Sequence, residues 1–76
     1  MPRYFFAIHD DGSHPDTIGE ELPNNEAAWQ EGAKVAAEML RDRLRTFRPG
    51  QKWRFELADE SRKVLYVIDV NAEQRE

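Results

Sequence analysis

Apolar side chains recur at spacings of three and four from Trp29 to Phe47: Trp29, Ala33, Ala36, Leu40, Leu44 and Phe47. That period is helical, and it predicts one helix over residues 24–47 with these six on the face that meets a sheet. Asn24 is placed as the N-cap, its side chain accepting from a free amide of the first turn. Glu26 complements the positive end of the helix dipole, and Arg43, Arg45 and Arg48 complement its negative end before Pro49-Gly50 stops it. A second apolar set, Ala28, Gly32, Val35 and Met39, lies beside the first. The two together cover roughly half the circumference, more than the ~100° that one buried face needs. Gly32 costs about 1 kcal/mol against alanine in a helix interior, so something is expected to pack closely there.

The pattern on either side of the helix has a period of two. Residues 3–9 form a strand with aromatics on both faces: Tyr4, Phe6 and Ile8 on one, Phe5, Ala7 and His9 on the other. Asp10-Asp11-Gly12-Ser13 is a turn, and residues 10–23 are a loop or short strand in which Pro15 confines any pairing to a sheet edge. Residues 52–58 alternate cleanly, with Trp53, Phe55 and Leu57 inward, and 63–70 return as the partner strand after a turn at Asp59-Glu60-Ser61-Arg62. Pairing Ala58 with Lys63 would set Leu57 against Val64, Phe55 against Tyr66 and Trp53 against Ile68. Leu65 and Val67 then share the other face with Arg54 and Glu56. Residues 71–76 are a polar tail expected to fray. The expectation is a single α+β domain over 1–76. It has one long helix on one face of a three- to four-stranded, mainly antiparallel sheet, in the order β-(β)-α-β-β.

Composition narrows the function classes. Seventy-six residues bury only about 60% of their unfolded surface, so the core is marginal and a partner subunit is one way to complete it. With no cysteine, disulfides and thiolate chemistry are excluded, as expected of a cytoplasmic protein. The run Tyr4–Ile8 is too short for a signal-peptide core or a membrane span. A net charge of −4 disfavours nonspecific binding to nucleic acid or anionic membrane.

The opening Pro2-Arg3-Tyr4-Phe5-Phe6, the strand ending in Asp10 and a glycine turn, the stretch Asp16-Thr17-Ile18-Gly19-Glu20-Glu21-Leu22-Pro23, the helix opening Glu26-Ala27-Ala28 and the Asp59-Glu60 turn occur together. This combination resembles the small bacterial proteins grouped as domain of unknown function 6894, over nearly the whole chain from Pro2 to about Val70. Such proteins often carry histidine where this chain has Ala7, and glycine where it has Ser61 or Arg62. The resemblance implies fold boundaries and no activity, substrate or catalytic residue.

The densest set of potential metal ligands is His9, Asp10, Asp11, His14 and Asp16, but their spacing matches no metal motif, and Asp-Asp-Gly-Ser is ordinary turn chemistry. Glu20, Glu21, Asp59 and Glu60 lack a partner for general acid–base work. Tyr4 and Tyr66 read as packing residues. There is no phosphate loop or nucleophile elbow, and no catalytic residue or cofactor is implied. Lys34, Arg41, Arg45 and Arg48 make a basic stripe along the helix, a candidate contact for phosphate or nucleic acid, although Glu38 at helical spacing is expected to pair with Lys34 or Arg41. The stronger candidate is an interface formed by Ala28, Gly32, Val35, Met39, Leu65 and Val67. Either the 10–23 loop covers it, with Ile18 and Leu22 filling the gap, or a second subunit does. The expected function is a small non-enzymatic protein-interaction or regulatory module, with a homodimer as one form. The alternative is a weak nucleic-acid or phosphate binder using the basic stripe.

Overall fold

In the computed structural model, which describes residues 1–10 and 12–75, the helix α1 spans Asn25–Arg43. Asn24 caps it as its chemistry predicts, Oδ1 accepting the Ala27 amide at 2.8 Å. The helix stops at Arg43, not at Phe47. Leu44 makes the last bond of α type, to Leu40; Arg45 and Thr46 then bond three residues back, to Asp42 and Arg43. The Thr46 hydroxyl donates to the Arg43 carbonyl at 3.3 Å and accepts from Arg43 Nη1 at 2.8 Å. A tightened turn whose end groups are met by a side chain closes a helix. Leu44 is left exposed, and Phe47 reaches the core from outside the helix.

Among the described residues five strands form one sheet: β1 (Arg3–His9), β2 (Ser13–His14), β3 (Glu20–Glu21), β4 (Lys52–Ala58) and β5 (Val64–Asn71). Their order is β2-β1-β4-β5, β3 also pairs with β1, and the pairings are antiparallel. The architecture is therefore α+β as expected, with β2 and β3 as the additional short strands. Thr17 and Ile18 lie in neither. Asn71 belongs to β5, and Gly50 donates to the Ala72 carbonyl at 2.8 Å, so the tail is tied to the body at its start. Glu76 lies outside the described residues.

The β4–β5 hairpin keeps the expected faces in a different register. Trp53 opposes Val70, Phe55 opposes Ile68 and Leu57 opposes Tyr66, two residues further on than predicted. The turn is the cause. Asp59, rather than Ala58, bonds Lys63, through its amide and the Lys63 carbonyl at 2.9 Å. Asp59 Oδ1 accepts from the Ser61 and Lys63 amides, and Arg62 turns the chain at φ 68°. A bulge between Leu57 and Ala58 then makes Leu65 the extra residue. Leu65 consequently packs against the core cluster instead of lying freely on the open face.

The helix meets the sheet through its smallest residues. Ala28, Gly32 and Ala36 are buried against Trp53, Phe55 and Leu57, whereas Trp29, Ala33 and Leu40 are only half-buried. The core face is thus rotated from the predicted stripe toward the second set. A Cβ on Gly32 would lie 2.7 Å from Leu57 Cδ1, so the glycine permits the approach. Ala28 and Gly32, expected on a partner-facing strip, belong to the chain's own core.

Candidate functional site

The two edges of the sheet are finished in different ways. A strand edge exposes unpaired amides and carbonyls that can template another strand unless it is shortened, charged or covered. Beside β1 the edge is covered by the segment between β2 and β3. Two strands of two residues each, separated by Pro15, leave no continuous ladder. Where β1 lacks a strand partner, Asp16 substitutes for one: Oδ2 accepts the Phe6 amide at 3.2 Å, and Oδ1 accepts the Ile18 and Gly19 amides at 3.0 Å. Gly19 sits at φ 75°, where an added Cβ would be 2.8 Å from the Tyr4 carbonyl. Arg3 donates to the Ile18 carbonyl and Arg62 to that of Asp16, and the Arg62 guanidinium lies 3.6 Å above the Phe5 ring. The loop therefore lies along the edge and not over the helix. Ile18 fills no gap, at 78% exposed, while Leu22 does reach the core.

Burial tends to raise the Asp16 pKa, but the amides of Gly19, Phe6 and Ile18, helped by Arg62, outweigh it and hold the carboxyl below its ordinary value. A group with a depressed native pKa stabilises fully above its unfolded value of about 3.9, and loses that contribution as pH falls through the lower native one. Asp16→Asn should therefore be less stable than the parent at pH 7 and should lose less on acidification below about pH 4. Urea midpoints measured from pH 7 to 2.5 check this; parallel curves would count against it.

The β5 edge has no such cover among the described residues. It is eight residues long, without proline or glycine, and Asp69 is its only charge. Ala72 donates to Gln51 at 3.5 Å, which makes that pair a hydrogen-bonded one. By the two-residue alternation of an antiparallel ladder, the amides and carbonyls of Val67, Asp69 and Asn71 then face away from β4. Above this edge lies one flank of the helix. Trp29 packs on Tyr66 with ring centroids 5.1 Å apart, and helical spacing puts Ala33, Ala37 and Leu40 on the same side. Ala37 is exposed and Ala33 and Leu40 are half-buried.

Other candidates are placed as follows. On the face opposite the helix, His9 Nε2 lies 3.0 Å from Glu56 Oε1, and Nδ1 lies 3.2 Å from Ser13 Oγ. Arg54 bridges Glu56 at 3.7 Å and Asp69 at 2.7 Å. The serine–imidazole–carboxylate order suggests a nucleophile and its base. However, Ser13 is exposed and the imidazole and carboxylate are only part-buried, and catalysis of that kind needs donors aimed at an oxyanion in a water-excluded site. The row is a set of polar contacts that runs from β1 through β4 to β5, its shortest ion pair being Arg54 with Asp69 across β4 and β5. The potential metal ligands, already read as turn chemistry, are engaged separately: His9 faces Glu56, His14 faces Asp10 at 3.2 Å, and Asp16 serves backbone amides; Asp11 is outside the described residues.

Met39 and Arg43 line a groove of about 390 Å³ with Ile8, Asp10, His14 and Trp53, on the β1 side of the helix. Val35 is half-buried and packs against the core, and Val67 is 44% exposed on the open sheet face. The six expected interface residues therefore do not form one surface. Lys34, Arg41, Arg45 and Arg48 are all exposed. Lys34 and Arg41 lie on the helix side opposite the sheet, and neither forms an ion pair with Glu38 as expected. The open edge was the feature missed. Its signal was the apolar run Val64–Ile68, but composition cannot say whether such a strand ends a sheet.

The family described as Domain of unknown function (DUF6894) matches residues 3–71, and the chain belongs to it, in agreement with the resemblance drawn from its residues. No curated protein and no solved structure matches the chain.

Proposed function

We propose that this member of the DUF6894 family is a protein-interaction module that takes up an extended segment on the β5 edge. One observation carries the reading: β1 is closed by Asp16 and two minimal strands, while the longer and more apolar β5 is left open among the described residues. Strand addition uses backbone hydrogen bonds for affinity and alternate side chains for specificity. Here the outward amides of Val67 and Asp69 supply the first, and Tyr66, Ile68 and Val70 supply the second.

Val67→Pro tests it. The Val67 amide is not needed inside the fold, so removing it should spare the β4–β5 ladder and weaken strand addition by about tenfold, the equivalent of ~1.4 kcal/mol. A photo-crosslinking residue at Asn71, on the open edge, should form protein adducts in the native cell, and Val67→Pro should remove them. The same group at Ile18, on the closed edge, should form few. Equal labelling from both positions, or adducts that persist in Val67→Pro, ends the proposal.

A further inference from the structure

We infer that the strand added to β5 is β5 of a second copy, paired antiparallel about a two-fold axis at Ile68; this rests on the reading of the edge given above. A two-fold axis normal to the sheet requires one residue of β5 to oppose itself, because paired residues must both face their amides toward, or both away from, the partner. The bulge at Leu65 limits the regular part of the edge to residues 66–71. Centring on Tyr66 or Val67 draws the bulged Leu65 into the ladder. Centring on Asp69 sets like charges directly opposite, which is destabilising. Centring on Val70 or Asn71 sets residues of β5 against residues beyond Asn71, where the strand ends. Ile68 is the centre that avoids all three, with the ladder running from Tyr66 to Val70 in each copy. Val67 of each copy then opposes Asp69 of the other, giving about four backbone hydrogen bonds. On the helix side, Tyr66 opposes Val70 and Ile68 opposes Ile68. All three are half-buried and, with Leu65, already pack toward the core.

The helix flank favours a second copy over an isolated peptide. A bare strand would satisfy the edge and leave Trp29, Ala33, Ala37 and Leu40 as they are. A second copy brings an equivalent flank to the same side of the sheet. With α1 seated over β4 through Gly32 and Leu57, the two helices stand three strand spacings apart, roughly 14 Å. That is too far for backbone contact but within reach of Trp29 and Leu40 side chains from both copies. A 76-residue chain with no cysteine is also the size at which an added subunit supplies burial that one core cannot.

Sedimentation of the full chain should give a species of twice its 8.9 kDa; an 8.9 kDa species alone, up to millimolar concentration, overturns the inference. The register is read by single cysteines in the cysteine-free chain. Across a non-hydrogen-bonded antiparallel pair, Cα atoms lie about 4.5 Å apart, within disulfide range. Ile68→Cys should therefore oxidise to a covalent dimer, while Val67→Cys, facing Asp69, should do so at least about tenfold more slowly. A dimer in which both react equally, or Ile68→Cys does not, refutes the two-fold at Ile68; circular dichroism of each variant reports whether it folds. A monomer whose Asn71 crosslinker captures a different protein ends self-pairing and leaves the edge reading intact. A monomer that captures nothing ends both.

Discussion

Phe55→Ala should leave much of the chain unfolded at 25 °C. Phe55 is 1% exposed, and its ring lies 5.7 Å from Phe6 and 6.2 Å from Trp53 between centroids. It also lies within 4 Å of where a Gly32 side chain would begin. It thus joins β1, β4 and α1 at one point. Truncating a buried phenylalanine costs about 3–5 kcal/mol, through lost burial and the cavity left behind. A single core in a chain of this size supplies about the same amount, so little margin remains. Far-ultraviolet circular dichroism through a urea titration checks this, at one fixed concentration because association would add to apparent stability. A fully folded variant with a midpoint near the parent's would show that the core does not converge on Phe55.

Gly32→Val should be the most damaging change on the helix. The first added carbon would stand 2.7 Å from Leu57 Cδ1, and Leu57 is 0% exposed, so its methyl has little free space to enter. Valine then adds two further methyls in the same gap. Overpacking costs typically 1–3 kcal/mol and occasionally more, against the few tenths recovered by leaving glycine's poor helix propensity. A net loss of about 3 kcal/mol is expected for Gly32→Val. For Gly32→Ala about 1 kcal/mol is expected, because a gain of ~1 kcal/mol in propensity offsets part of the clash. Thermal melts of the three proteins should rank glycine above alanine above valine. Alanine as the most stable would mean that Leu57 has room to swing aside.

Gly32 shows where reading from sequence succeeds. A glycine inside a strongly helical pattern implies close contact whatever that contact is, and the contact proved to be Leu57. Its partner could not be named, and the helix face was placed wrongly for the same reason. Large apolar residues at helical spacing suggest a core stripe, but a sheet that approaches closely selects the smallest side chains and pushes Trp29 and Leu40 to the flanks. The hairpin followed the same division. Alternation set which residues face inward, since a shift of two preserves the face, whereas the register depended on Asp59 bonding Lys63 and on the Leu65 bulge.

Determined by the chain alone, then, were the local matters: the Asn24 cap, the period of each element, the α+β order and the family. These rest on backbone conformation and on side-chain spacing within a few residues. The tertiary structure decided which strand ends the sheet. Val64–Ile68 is as apolar as a central strand, and Asp16 resembles any loop aspartate until it is seen accepting the Phe6 amide. An edge is defined by what does not pair with it, and that depends on the whole topology. The candidate site is such an edge, so it became visible only when all five strands were in place.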